Sequence, residues 1–342
     1  MIKYLGSKRL LVGSIVDAVA AVPEARSVID LFSGTSRVGH ALKAAGFQVF
    51  SNDHNHYAET LARCYVEADA ERVIDDATRL IDELNALPGR PGYVTETWCE
   101  RAHFFQPQNG ARIDAIRERI ARLSLEPCLE AVLLTALMEA ADRVDSTTGL
   151  QMAYLRQWAP RSFRPLSLRV PKVLPRATAG AGRAYRGDAL DAVGRLSADV
   201  LYLDPPYNQH AYRANYHIWE SLIRWDKPAV YGKAQKRIDC RAEQSPFNQR
   251  RNFEESLRRL IEESRARGVV ISFSNEGFLS RERLEAVLRG ARGGAGVLSC
   301  KEVEYPRYVG ARIGIYNPRG EKVGRVSHLK NQEWLYTLRF DA

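Results

Sequence analysis

The run Ala198-Asp199-Val200-Leu201-Tyr202-Leu203-Asp204-Pro205-Pro206-Tyr207-Asn208 decides the fold. Val200 to Leu203 is a short apolar run, the kind that forms a strand buried on both faces of a parallel sheet. It stops at an acid and two prolines. Neither proline has an N–H to give to a sheet ladder, and Pro206 drives Pro205 towards an extended backbone. The exit from the strand is therefore stiff. It holds a carboxylate, a carbonyl and an aromatic ring at the carboxyl end of a strand, the edge where open α/β sheets keep their ligands. An Asp-Pro pair alone is an ordinary strand exit. Asp204-Pro205-Pro206-Tyr207 directly after an apolar strand is far more specific.

Upstream, Ser27-Val28-Ile29-Asp30-Leu31-Phe32-Ser33-Gly34-Thr35-Ser36-Arg37-Val38-Gly39-His40 repeats the pattern of strand and turn. Val28 to Leu31 predicts a strand and Ser33 to Ser36 a turn of small residues. Val38, Ala41, Leu42 and Ala45 predict a helix, closed by Gly46. Phe47 to Phe50 predicts a second strand that runs into Ser51-Asn52-Asp53. This is a βαβ opening with an acid about twenty residues beyond the glycine turn. A ligand can approach the backbone closely at Gly34, and Asp53 is placed to accept hydrogen bonds from ribose hydroxyls. Asp53 also has a plainer use, as a helix N-cap in the Asn52-Asp53-His54-Asn55 cluster.

The N-terminal Lys3-Tyr4-Leu5-Gly6-Ser7-Lys8-Arg9 precedes a predicted helix with Leu10, Leu11, Ile15, Val16 and Val19 on one side. Gly6 and Ser7 could open that helix and leave N–H groups beside a lysine, suited to a carboxylate or phosphate. A basic N-terminus also commonly frays.

From Tyr57 to Arg183 the alternation of strand and helix lapses. Tyr57 to Leu87, Ala111 to Leu123 and Glu126 to Val144 read as helices, which makes this a mainly helical insertion too long to be a loop. It carries Arg101-Ala102-His103-Phe104-Phe105, Gln106-Pro107-Gln108-Asn109-Gly110, Asp145-Ser146-Thr147-Thr148-Gly149 and Tyr154-Leu155-Arg156-Gln157-Trp158. Arg161, Arg164, Arg169, Lys172 and Arg176 then alternate with prolines. Basic residues interleaved with aromatics suit contact with DNA, whereas a solvated helical cap is the plainer reading.

The alternation resumes at Ala184-Tyr185-Arg186-Gly187-Asp188, a short strand ending in an acid. Beyond Tyr207, residues 208–251 are polar and rich in aromatics. Asn252 to Arg267 predicts an amphipathic helix, Val269 to Ser274 a buried strand and Arg281 to Leu288 a helix. Val303 to Tyr305 and Trp334 to Leu338 predict two closing strands around a basic loop, Arg307 to Lys330.

The chain has 342 residues, enough for one large domain with an inserted one, and no apolar run approaches a membrane span. The N-terminus lacks the apolar core of a signal peptide. Five scattered cysteines without a CxxC pair argue for a reducing compartment, without disulfides or a zinc site. Net charge is +9, and arginines outnumber lysines 40 to 10 among the 50 basic residues. That excess favours a polyanionic partner.

Asp53, Asp188 and Asp204 thus close three successive strands, and all three ends should share one edge of a parallel sheet. Such an edge builds a nucleoside pocket, with Asp53 suited to a ribose and Asp188 to an adenine amino group. Asp204 would stand where that pocket meets a substrate. Methyl transfer to an exocyclic amine needs positioning more than acid–base chemistry. Hydrogen bonds from the amine to the Asp204 carboxylate and the Pro205 carbonyl would pull the nitrogen towards tetrahedral geometry and aim its lone pair. Tyr207 offers a face for an extruded base, a contact worth about 1–3 kcal/mol.

On Lys3 to Lys8, Asp30-Leu31-Phe32-Ser33-Gly34, Asp53 and Asp204 to Tyr207, in that order, the chain resembles the D12 class of adenine-specific DNA methyltransferases. The resemblance extends to Asn109-Gly110-Ala111-Arg112-Ile113-Asp114-Ala115-Ile116-Arg117 and to Asn215-Tyr216-His217. It implies an α/β fold: a Rossmann-like S-adenosylmethionine-dependent methyltransferase sheet with helices on both faces. Residues 1–56 and 184–342 would form the catalytic domain and 57–183 a helical target-recognition insert.

The resemblance further implies a cytoplasmic, site-specific enzyme of restriction–modification or phage type that flips an adenine out of double-stranded DNA and methylates N6. S-adenosyl-L-methionine would be the cofactor, with no metal and no membrane, and a cognate restriction endonuclease is admitted as a partner. Tyr4, Lys8, Asp53 and Asp204 would contact the cofactor, with Asp30, Phe32 and Gly34 shaping its pocket. Asp188 is assigned on position alone. Asp204, Pro205, Pro206 and Tyr207 would be catalytic. Related enzymes often carry a second glycine where this chain has Ser36, so a slightly less open turn is expected. Competing readings are methylation of RNA or of a protein glutamine, a silent nucleic-acid-binding relative, and a nicotinamide dehydrogenase. The last lacks its GxGxxG at Gly34-Thr35-Ser36.

Overall fold

The computed structural model describes residues 1–6, 8–206, 212–241, 245–306 and 330–340. Its strands are β1 (Ser27–Asp30), β2 (Gln48–Asp53), β3 (Arg183–Arg186), β4 (Val200–Leu203), β5 (Val230–Tyr231), β6 (Lys236–Arg237), β7 (Gly268–Ser274), β8 (Gly296–Pro306) and β9 (Lys330–Phe340). Seven form one sheet in the order β3-β2-β1-β4-β7-β9-β8, and β5 pairs with β6 as a separate hairpin. β1 to β4 and β7 run parallel, and β9 returns antiparallel between β7 and β8. The strand order reverses between β1 and β4, which opens a crevice outside their carboxyl ends.

Each central strand feeds two cores, because successive side chains point to opposite faces. Val28, Val200, Tyr202 and Val270 pack with Ile15, Val19 and Leu42 on one face. Ile29, Leu201, Leu203, Val269 and Ile271 pack with Val193, Leu257, Leu260 and Leu284 on the other. Helices therefore cover both faces of this α/β, Rossmann-like sheet. The helix Val12–Ala20 buries Ile15 and Val19 as its spacing predicts, but Leu10 is exposed. Leu10 falls in the short 3-10 turn Lys8–Leu10, whose different rotation takes it off the buried face.

Every helix or strand between β2 and β3 is helical. The run from residue 57 to residue 87 is broken where expectation had it continuous. It divides into a helix His56–Ala62, a π-helical turn Arg63–Glu67 and a helix Ala70–Ala86. The helices Pro107–Ala121 and Pro127–Val144 follow, each with a proline at its first position. Their core takes in Phe104 and Phe105, so these aromatics are packing residues rather than surface contacts. It also recruits Tyr216, Ile218, Trp219 and Leu222 from the chain after β4. The closing strands are longer than their apolar stretches suggested, since β8 and β9 pair over eleven positions. The expected basic loop lies, for residues 307–329, outside the described residues. Among the described residues no helix is long and apolar enough to cross a membrane.

The N-terminal segment straps the helical layer to the sheet. Lys3 Nζ lies 2.7 Å from Asp145 Oδ1, and the Lys3 backbone N–H donates to Asp142 Oδ2 at 3.0 Å. Five residues later Lys8 is buried over the carboxyl edge of the sheet.

Candidate active site

A cavity of about 570 Å³ opens at the β1–β4 crevice, within the range of small-molecule sites. The turn after β1 supplies Phe32 to Thr35, the end of β2 supplies Asn52 to Asn55, and the end of β3 supplies Gly187 to Ala189. β4 and its exit supply Tyr202, Asp204 and Pro206, and the N-terminal segment supplies Tyr4 to Gly6 and Lys8. The structure thus brings together Tyr4, Lys8, Asp30, Phe32, Gly34, Asp53, Asp188, Asp204 and Pro206 in one wall. Pro205 is buried behind it. Ser7 and Tyr207 lie outside the described residues.

The turn after β1 is held by its neighbour. Asp53 Oδ2 accepts the Gly34 N–H at 3.0 Å, and Asp53 Oδ1 accepts the Asn55 N–H at 3.0 Å. Gly34 has φ +50°, the left-handed region that favours glycine, and a β-carbon there would only touch the Tyr4 ring at ordinary contact distance. Asp53 is not a helix cap, because the following helix begins at His56 behind Asn55. Asp188 does cap one, accepting the Leu190 N–H at 2.8 Å.

Ser36 takes a left-handed backbone, φ +57° and ψ +23°, with its side chain fully buried and its hydroxyl without a hydrogen-bond partner among the described residues. That conformation costs a non-glycine residue about 1 kcal/mol. Ser36→Gly should therefore stabilise the chain by ~1 kcal/mol, since a buried unpaired hydroxyl goes as well. Urea melts of the two proteins test this, and a lower midpoint for the glycine variant refutes it.

The site is acidic. Asp30 is 1% exposed, and its Oδ2 has no hydrogen-bond partner among the described residues. Burial, then the nearby Asp204 and Asp53, push its carboxyl up to about 7, against a lowering bond from the Gly39 N–H. Ser33 Oγ, Asn52 Oδ1 and Tyr202 OH are likewise buried and unpaired beneath the cavity. Asp204 is pushed up to about 6, chiefly by burial; Lys8 pulls it down and Glu333 pushes it up. Burial also raises Asp53, with the Asn55 and Gly34 N–H groups opposing. Three carboxylates around one cavity favour a ligand that brings positive charge.

Tyr4 stacks on Tyr216 at 4.5 Å and on Tyr212 at 5.3 Å, with 14° between planes in each pair, and its hydroxyl is 3.2 Å from that of Tyr57. Glu220, buried behind them, meets His56 Nδ1 at 2.6 Å and the Tyr57 N–H at 3.2 Å. Sequence reasoning noted Tyr212 and Tyr216 among the aromatics of residues 208–251, and Tyr216 within a motif, but did not assign Tyr212 or Asn248 to the cavity. Glu333 was missed altogether. Its one signal was an acid beside the apolar run of the last strand.

A family model described as D12 class N6 adenine-specific DNA methyltransferase matches residues 4–269. The type II methyltransferase M.NlaIII of Neisseria lactamica is 30% identical over 289 residues, covering 81% of this chain and 84% of the relative. The type II methyltransferase M.FokI of Planomicrobium okeanokoites is 29% identical over 306 residues, covering 84% of this chain and 46% of the relative. The modification methylase StsI of Streptococcus sanguinis is 26% identical over 322 residues, covering 90% and 48%. The chain thus spans about half the length of the last two relatives.

Proposed function

Because this chain belongs to the D12 class of N6 adenine-specific DNA methyltransferases, we propose that it methylates adenine N6 at a defined site in duplex DNA as the modification half of a restriction–modification system. The observation that carries the reading is Asp204 at the stiff exit of β4, in one cavity with the Gly34 turn and Asp53. S-adenosylmethionine fits that cavity: it is a nucleoside with a net positive charge, and the unpaired buried Asp30, Ser33 and Asn52 atoms answer its polarity. When bound, it supplies a methyl group activated by a sulfonium.

The chain's own residues then have the following tasks. Asp53 accepts from the ribose while it holds the glycine turn open. Asp30 offsets the cationic centre. Asp204 and the Pro205 carbonyl would accept hydrogen bonds from the two N–H groups of the target amine, so that its lone pair is freed from the ring and directed to the methyl group. Tyr207 is the proposed stacking face for the flipped base. The helical insert, residues 57–183, is the proposed target-recognition region. Arg164, Arg169, Lys172 and Arg176 are exposed along it while Leu166, Leu168 and Val173 anchor the same segment in the core. Such a basic row suits phosphate contacts.

Incubation with tritiated S-adenosylmethionine and duplex DNA should give labelled N6-methyladenine on digestion. Label in RNA alone, or in neither polymer, would overturn the reading.

A further inference from the structure

Lys8 has two carboxylate partners. Its ammonium lies 3.0 Å from Asp204 Oδ1 and also pairs with Glu333 Oε1. The Lys8 side chain is 6% exposed and that of Glu333 1%, against 22% for Asp204. Glu333 stands on β9, opposite Ser274 of β7, beyond the residues that the family model matches. Ser272 Oγ donates to the same Glu333 oxygen at 2.5 Å. A carboxylate this deeply buried is expensive unless it is paired and hydrogen-bonded, and here it is both. A lysine ammonium has three donors and can serve two acids at once. Paired with Asp204 alone, Lys8 would neutralise it. Shared with a second acid, Lys8 can hold Asp204 still and leave much of its negative charge available.

We propose that Glu333 is a positioning residue for Asp204: it anchors the Lys8 ammonium, which fixes the Asp204 carboxylate at the cavity wall while dividing its charge between the two acids. This rests on the reading of Asp204 as acceptor of the target amine. Among the described residues, the charged and titratable groups facing Asp204 are Lys8 from the N-terminal turn, Glu333 from β9, Asp30 from β1, Tyr202 on its own strand and Tyr212 from the segment that follows. Of these, Lys8 and Glu333 act on it in opposite senses.

Glu333→Gln keeps the shape and removes the charge, so Lys8 falls wholly to Asp204. The Asp204 carboxyl should then titrate about 1 pH unit lower. The acid limb of kcat should move the same way, and kcat should fall between about 10- and 100-fold with KM for the cofactor little changed. Glu333→Asp restores the charge and should restore the limb. Lys8→Met should move the Asp204 titration upward.

The direct readout is the carboxyl-carbon signal of Asp204 in the full chain labelled with [13C]aspartate, assigned with Asp204→Asn. An unmoved titration in the glutamine variant overturns the proposal even if kcat falls, since a merely structural role would slow the enzyme without shifting the acid. Should that variant not fold, Lys8→Met reads the same coupling from the other side, and an unmoved titration there overturns it too. Methyl transfer by the wild-type chain is measured alongside. Its absence would count against the reading of Asp204 as acceptor, whereas the titration tests the coupling without substrate.

Discussion

Asp204→Ala should lower methyl transfer to duplex DNA by about 100- to 1,000-fold, the scale of removing a preorganised partner of a transition-state charge. The loss should appear in kcat, because the amine's polarisation is made only as the nitrogen attacks. The fold should stand. Asp204 is an acid whose proton affinity is raised in the folded chain, so its ionised form weighs against folding at pH 8. Without it, Lys8 and Glu333 remain as a buried pair of net zero charge. The melting temperature at pH 8 should therefore not fall. Asp204→Asn keeps one acceptor oxygen but puts an amide beside the Lys8 ammonium, and should lose about 10- to 100-fold. Single-turnover transfer with saturating cofactor and DNA separates the two variants. Transfer by the alanine variant at close to the wild-type rate would sink the mechanism.

The second large effect belongs to Asp53. Asp53→Ala removes the proposed ribose acceptor and the partner of the Gly34 and Asn55 N–H groups. Two hydrogen bonds to a charged group are worth about 3–6 kcal/mol, part of which water in the emptied site recovers. Affinity for S-adenosylmethionine should fall by about 100-fold or more. The rate at saturating cofactor should change far less, because Asp53 does not touch the amine. Calorimetric titration of S-adenosylmethionine into both proteins measures this. Unchanged affinity would remove Asp53 from the binding site.

How much of this was legible in the sequence depends on how locally each feature is written. The β4 exit and the turn after β1 were legible because each is a strand, a stop and a special backbone within a dozen residues. Gly34 and Asp53 were legible as a pair because a βαβ unit fixes the distance between them. Ser36 was legible as an anomaly, and the left-handed backbone explains why glycine would be at ease there. The aromatics of the insert misled. Phe104 and Phe105 follow an arginine and a histidine, yet a helical layer without a sheet must fill its centre with large side chains. Tyr212 and Glu333 were illegible for a different reason. Tyr212 reaches the cavity, and Glu333 reaches Lys8 of its wall, through contacts with residues far away in sequence, and no local pattern marks such an arrival. Glu333 in particular depends on β9 inserting antiparallel between β7 and β8, a choice that apolar periodicity does not encode.

The N-terminal strap and the Lys8–Glu333 pair also order events in time. Lys8 and Glu333 stand 325 positions apart in sequence, so the contact proposed to steady Asp204 closes a very long loop. Loops of that span close late, after local helices and the parallel strands have found each other. At about 5–20 residues per second of synthesis, Lys8 waits more than about ten seconds for Glu333 to be made. The Gly34 turn, Asp53 and the Asp204 exit can therefore be in place before the contact proposed to steady Asp204 forms.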